Sequence, residues 1–470
     1  MNELLKMTLV ELTGYLRDRK ASPVELMEAV LARIEETNPD LNTVVARRDK
    51  DELLAEAKAS EECIMSGKAR PLEGIPLGVK DLENVEGMIT SMGSIPYRDN
   101  MAEQDSIQVA RLKAAGAIVV GKTNTPEFGY TAITKNHVFG VTRSPWDLER
   151  TPGGSSGGSA AAMAACVLPL VTCSDGGGSI RIPASFTGTF GLKTSYGRIP
   201  MGPRKQWYYR DTSVYGPMTK TVDDAALFLD QVAGPSPYDP KSLPHPGVSY
   251  VEKLKRPSPS GLKIGYSPDL GYAVVQSDLA DLVEEGVKVF ERLGHSVAEV
   301  KGGPPSGGRD WVMLSGFENA STLHPFLPER EKEFGRAFIA NVKTGWSMTP
   351  EIWGEAAHKR SLLNDWCVDI FDRFDLLVTP TVPFDPPLAK GPFPEETEGR
   401  KQTPAAVASF TIPFNFSLHP AATVRAGLSK AGFPVGLQIV GPRHRDDLVL
   451  QAARAFESER PWHPDWPTSW

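Results

Sequence analysis

Two glycine- and serine-rich blocks constrain this chain more than anything else in it. They are Thr151-Pro-Gly-Gly-Ser-Ser-Gly-Gly-Ser-Ala160 and Ser174-Asp-Gly-Gly-Gly-Ser-Ile-Arg-Ile-Pro183, and they bracket an alanine-rich apolar stretch. Runs of this composition are ordinarily flexible linkers. Here they are embedded between strand and helix signals, so the chain must hold them in place, and their glycines let backbone approach something closely. Three consecutive glycines before Ser179 leave N–H groups free to converge on one point. Such a nest can bind a phosphate or the oxyanion of a tetrahedral intermediate.

The surrounding pattern predicts an α/β fold. Thr8 with Glu11, and Ser22 with Glu25, match the capping box, and Pro23 occupies a first-turn position. Met27, Val30, Leu31 and Ile34 then mark one apolar helical face, and Asn38-Pro39 is expected to stop that helix. From about residue 72 short strands alternate with helices. Gly74–Lys80 reads as a buried strand, Ser106–Ala115 as a helix, and Ala117–Val120 as a strand covered on both faces. Leu262–Tyr266, Asp278–Leu293 and His295–Val300 form a strand–helix–strand unit, and Phe433–Val440 with Asp446–Phe456 gives a last strand and helix. Alternation of this kind implies an α/β/α sandwich around a mixed, mainly parallel sheet. We expect one continuous domain over 1–470, with N-terminal helices in 1–70, a core at about 72–230, and a lid-like insert at about 302–395 rich in Gly and Pro.

Several function classes are disfavoured. The formal net charge of −7, without a long run of one sign, argues against nucleic acid or an anionic membrane as the main partner. Four cysteines in 470 residues make no disulfide framework, and no C-x-x-C pair or histidine cluster suggests a metal. The N-terminus lacks the apolar run of a signal peptide, and Ala160–Val171 is too short to span a bilayer. A reducing cytoplasm is the simplest expected location.

The phosphate reading of the nest meets no supporting spacing, since neither G-x-x-x-x-G-K-[ST] nor G-x-G-x-x-G is present in the two blocks. Gly153-Gly154-Ser155-Ser156-Gly157 formally satisfies G-x-S-x-G, with His419 or His444 late enough to serve as base. That motif requires a preceding strand. Ser144–Pro152 supplies two prolines and no apolar run instead.

The chain resembles the amidase signature family over nearly its full length. The resemblance rests on Gly-Ile-Pro-Leu-Gly-Val-Lys-Asp around Lys80, Gly-Lys-Thr-Asn at 121–124 and Gly-Gly-Ser-Ser-Gly-Gly at 153–158. It extends to Gly-Gly-Ser-Ile-Arg-Ile-Pro-Ala at 177–184 and Gly-Phe-Pro-Val-Gly-Leu-Gln-Ile-Val-Gly at 432–441, in the family's order. Carried over by position, it implies a Ser–cis-Ser–Lys triad with Ser179 as nucleophile, Ser155 as the bridging serine in a cis peptide and Lys80 as base. It also implies an oxyanion hole from the main-chain N–H groups of Gly176, Gly177, Gly178 and Ser179, and a substrate wall including Gly129 and Tyr130. The reaction implied is hydrolysis of a C–N acyl bond in a small-molecule amide, with no metal or organic cofactor and with room for a homo-oligomer.

The chemistry is coherent on its own terms. A serine hydroxyl needs a base to become a good nucleophile. No histidine lies near either serine in sequence, whereas Lys80 ends an apolar strand. A lysine base working near neutral pH must be held neutral at a cost of about 3–4 kcal/mol, which burial can supply. Asp81, next in the strand, should face the other way. Arg181 and Asp175 are read as ordering the glycine loop, in preference to binding a substrate carboxylate or acting as an acid. The Trp207-Tyr208-Tyr209 cluster either lines the pocket or caps the core.

The chain departs from the family pattern at three places. Many members carry Thr or Ile at the position of Gly176, Cys at that of Thr187, and Lys-Pro-Thr where this chain has Lys193-Thr194-Ser195. Gly176 either loosens the oxyanion loop or opens room for a bulkier substrate. With the aromatic cluster and the lid it favours a bulky or aryl amide, with carbamates and esters also suited. Two alternatives stay open: the A-type subunit of a glutamine-dependent aminoacyl-tRNA amidotransferase, whose members usually carry Gln where this chain has Ile182-Pro183, and a catalytically idle binding protein on the same scaffold.

Overall fold

Both N-terminal capping boxes close. Thr8 Oγ1 accepts the Glu11 N–H at 3.1 Å, and the Glu11 carboxylate accepts the Thr8 N–H at 2.8 Å. Ser22 and Glu25 make the same reciprocal pair at the start of helix Pro23–Leu41. Asn38-Pro39 does not stop that helix. Pro39 falls in its last turn, where it removes one i→i−4 hydrogen bond without ending the helix, and the stop is Asn42, left-handed at φ 52°. Asn38 Oδ1 then accepts the N–H groups of Thr43 and Val44 at 2.8 and 3.0 Å, turning the chain into the first strand.

The structure is a computed structural model that describes residues 2–203, 211–463 and 467. Eleven strands form one sheet: Val44–Arg47 (β1), Pro76–Lys80 (β2), Ile118–Thr123 (β3), Leu170–Asp175 (β4), Phe190–Lys193 (β5), Val214–Thr219 (β6), Lys263–Tyr266 (β7), Ser296–Glu299 (β8), Leu376–Pro380 (β9), Ala421–Leu428 (β10) and Pro434–Val440 (β11). Their spatial order is β1-β3-β2-β4-β6-β5-β10-β11-β9-β7-β8. The sheet is mixed. Parallel pairs β3–β2–β4 and β9–β7–β8 lie toward its two sides. Between them runs an antiparallel stretch from β4 through β6, β5, β10 and β11 to β9.

Helices cover both faces. Neighbouring residues on a strand point to opposite sides. A Cβ on Gly436 of β11 would meet Ser185 of helix Arg181–Thr187, while Leu437 beside it touches Gly286 of helix Ser277–Arg292. Strands β2, β3, β4, β6, β9 and β11 are buried at every residue. Their continuous apolar runs, with Leu77, Val79, Val119 and Leu170 among them, belong to the main core.

The stretch 302–395, expected as one lid-like insert, divides in two. Leu376–Pro380 is β9, an interior strand of the main sheet between β11 and β7. Helices Gly308–Leu323 and Arg336–Gly345 pack on each other, and Leu323, Phe338 and Val342 form an apolar cluster with Phe128. No helix among the described residues is long and apolar enough to cross a membrane.

Candidate active site

Ligand sites in α/β sheets gather at the carboxyl ends of parallel strands. β2 and β4 pair in parallel and end at Lys80 and Asp175. The first glycine block runs beside them into helix Gly157–Ala164, and its Gly154–Ser155 peptide is cis. This arrangement gathers hydroxyls around the fully buried Lys80. Lys80 Nζ lies 2.8 Å from both Ser155 Oγ and Ser156 Oγ, 3.1 Å from Ser174 Oγ and 3.4 Å from the Ser174 carbonyl. Its backbone N–H donates to Thr172 Oγ1 at 3.0 Å, tying β2 to β4.

Burial lowers the pKa of Lys80 to about 8, against weaker opposing pulls from Cys173, Glu83 and Asp175. Cys173 is a neutral thiol at ordinary pH, pushed up to about 12 by burial. Asp81 faces away, as strand alternation requires. It accepts hydrogen bonds from the Ser91 N–H and hydroxyl and sits 3.7 Å from Lys122 Nζ. The amine therefore has hydroxyl and carbonyl partners and, among the described residues, no carboxylate hydrogen-bonded to it.

The second block is held from beneath by Asp175. Its carboxylate accepts the N–H groups of Gly178 and Ile180 at 2.8 and 3.1 Å, and two guanidinium N–H groups of Arg181 at 2.9 and 3.0 Å. Burial alone would raise its pKa; the Arg181 charge and hydrogen bonds, with Asn415, outweigh that and hold it below the usual carboxylate range. Arg181 is fully buried and also donates to the Thr411 carbonyl, Gln438 Oε1 and Asn415 Oδ1. Both residues order the loop, as their sequence context suggested, and the arginine's donors are taken up by the protein.

Gly178 departs from the oxyanion expectation. Its N–H, anticipated among the converging donors, is directed instead to Asp175 Oδ1. Among the described residues, no hydrogen bond occupies the N–H groups of Gly176, Gly177 and Ser179. Gly178 is required for its backbone, at φ +134°. Gly177 is required for its neighbour, because a Cβ there would come within 2.9 Å of the Trp311 ring.

Ser155, Ser179, Gly176, Gly177 and Gly129 line one cavity of about 300 Å³, together with Leu82, Met92, Tyr97, Phe128, Tyr215 and Trp311. Among the described lining residues the only charged side chain is Glu103. Tyr130, expected beside Gly129 on this wall, does not line the cavity; its ring stacks on Trp311 with centroids 6.2 Å apart. Trp207-Tyr208-Tyr209 lies outside the described residues. The histidines of the G-x-S-x-G alternative are placed elsewhere. His419 contacts Ser417 and Phe371, with its pKa lowered to about 3 by burial and nearby cations, and the His444 N–H donates to Ser195 Oγ.

Sequence reasoning did not single out Ser156, Ser174, Trp311 or Thr411. The two serines were within the glycine blocks, and the alternation of Thr172 with Ser174 along β4 carried a signal for a hydroxyl-lined face. Trp311, in helix Gly308–Leu323, and Thr411, at the start of helix Ile412–Phe416, reach the loop from far along the chain and leave no local trace.

The Amidase family model matches residues 25–450. The chain is 36% identical to an acylamidase of Rhodococcus erythropolis over 478 aligned residues, 97% of this chain and 96% of that protein. It is 32% identical to the A-type subunit of glutamyl-tRNA(Gln) amidotransferase from Pseudomonas fluorescens, covering 98% and 99% of the two chains. Among solved structures it is similar to a bacterial aryl acylamidase of the amidase signature family, with TM-score 0.93 and 30% identity over 99% of each chain. The chain belongs to the amidase signature family. It is an amide-hydrolysing enzyme.

Proposed function

We propose that the enzyme hydrolyses a bulky or aryl amide through an acyl-enzyme on Ser179, with Ser155 and Lys80 as its proton relay. One observation carries this reading: a fully buried lysine amine lies 2.8 Å from the Oγ of Ser155, which lines the same cavity as Ser179. A neutral amine has two N–H donors and one lone pair. Ser156 and Ser174 can accept both donors, which turns the lone pair toward the Ser155 hydroxyl. Lys80 then takes the Ser155 proton while Ser155 takes that of Ser179, and Ser179 Oγ attacks the amide carbonyl. The free N–H groups of Gly177 and Ser179, with Gly176, hold the oxyanion. The relay returns a proton to the leaving amine, and water activated by the same route cleaves the ester. The sequence of steps calls on no metal or organic cofactor.

The substrate class rests on the cavity wall. Trp311, Tyr215, Phe128, Tyr97, Met92 and Leu82 offer broad apolar surface, and Glu103 is the one charge among the described lining residues. An apolar aryl acyl or aryl amine part fits that wall better than the charged backbone of glutamine. The likeness to an acylamidase and to an aryl acylamidase structure points the same way. Aryl carbamates and esters present the same electrophile. The test is a panel of aryl and aliphatic amides, carbamates, esters and glutamine, with Ser179→Ala as control. Aryl substrates should lead and Ser179→Ala should abolish turnover; a preference for small polar amides or glutamine would overturn the substrate class.

A further inference from the structure

The loop that carries Ser179 is gripped at two successive carbonyls by side chains from far along the chain. The Trp311 indole Nε1–H donates to the Gly176 carbonyl at 2.8 Å, and the Thr411 hydroxyl donates to the Gly177 carbonyl at 2.7 Å. A trans peptide is planar, with its C=O and N–H pointing in opposite directions. Fixing the Gly176 carbonyl therefore fixes the direction of the Gly177 N–H on the same peptide. That N–H lacks a hydrogen-bond partner among the described residues, and Gly177 lines the cavity beside Ser179.

The indole is itself firmly placed. It lies against Gly177, where a Cβ would come to 2.9 Å of its Cε2, and it stacks on Tyr130 at an interplanar angle of 15°. Trp311 occupies the first turn of helix Gly308–Leu323. The preceding residue, Asp310, is tied to Lys359 of helix Pro350–Arg373 at 3.1 Å. Nothing in the proton relay uses this residue.

We propose that Trp311 is a positioning residue: its indole N–H aims the Gly177 N–H at the developing oxyanion, so that seating of helix Gly308–Leu323 completes the oxyanion hole. This rests on the reading of Ser179 as the acylated residue. Preorganised donors act on charge that appears only in the transition state, and losing one costs about a hundredfold to a thousandfold in kcat. A donor that remains but loses its aim should cost less, about tenfold to a hundredfold.

Trp311→Phe keeps an aromatic ring and removes the N–H. Expected for the full-length variant on an aryl amide are a kcat lower by about tenfold to a hundredfold, a KM within about threefold of wild type, and weaker inhibition by a trifluoromethyl ketone of the same acyl group in proportion to kcat. Replacing Trp311 with benzothienylalanine, which keeps the bicyclic shape, should give the same loss and serves if the phenylalanine variant is poorly folded. Unchanged kcat and inhibitor affinity, or a rise in KM alone, would overturn the inference and leave Trp311 as a wall residue. Mapping a fluorophosphonate adduct on the wild-type enzyme separates the two failures. An adduct away from Ser179 sinks the parent reading, whereas an adduct on Ser179 with wild-type kinetics in Trp311→Phe sinks only this one.

Discussion

If Lys80 is the base, its protonation should govern the rate, and the structure sets where. With a pKa lowered to about 8 by burial, the amine is neutral in about 1% of molecules at pH 6, about 10% at pH 7 and about 90% at pH 9. The kcat/KM for an aryl amide, followed by absorbance of the released aniline, should rise close to tenfold per pH unit up to about pH 7, reach half its maximum near 8 and level off above about 9. The same burial acts on stability. The unfolded value is near 10.5 and the folded value lower, so the unfolded chain holds more protons between them, and stability is lost as pH falls from about 10.5 to about 8. Lys80→Met removes the titration. Relative to wild type it should gain about 3 kcal/mol on going from pH 11 to pH 7 in urea unfolding, while turnover disappears. A profile flat from pH 6 to 9, a limb centred near 6.5, or activity surviving in Lys80→Met would refute the reasoning.

Other consequences follow from the loop. Ser179→Ala should lose turnover and fluorophosphonate labelling while keeping the wild-type melting temperature. Asp175→Asn leaves the Arg181 charge buried without its partner, both side chains being 0% exposed, and should cost about 3–5 kcal/mol in urea unfolding. Because Asp175 titrates below its ordinary range in the folded protein, its contribution is present above about pH 4 and fades on acidification, so the variant's deficit should narrow at low pH. Gly177→Ala would push on the Trp311 ring and should lower kcat at least tenfold. Combining it with Trp311→Phe should give a loss smaller than the product of the two, since both act on one hydrogen bond.

Much of this was legible because it is local. Lys80 at the end of an apolar strand, the serines in their glycine blocks, and the capping residues Thr8 and Ser22 are all marked by their immediate neighbours. The strand–helix alternation reported the parallel flanks of the sheet, whereas the antiparallel stretch between them leaves no such rhythm. β9 is hidden inside an apparent insert because the prolines at 380, 383, 386 and 387 make the buried five-residue run Leu376–Pro380 read as part of a loop. Asn38-Pro39 gives a false stop because the proline removes one helix hydrogen bond without ending the helix, which runs on to its cap at Asn42. Three glycines in a row announce free N–H groups without revealing which of them Asp175 will take. Trp311 meets Gly176 across 135 positions, and no local pattern encodes a contact of that separation.

The sheet also says how the chain can be divided. β5, from the first half, is zipped to β10, from the second, through Lys193–Ala421, Leu192–Ala422 and Gly191–Thr423. A break in the exposed, proline-punctuated segment at 256–260 would leave each fragment with a raw central strand edge, prone to self-association when expressed by itself. Supplied together, the fragments carry matching edges, and the Arg181 contacts to Thr411, Asn415 and Gln438 would re-form only on their union. The seam thus makes the loop that bears Ser179 a product of both halves, and a natural site for building a split enzyme whose activity reports reassembly.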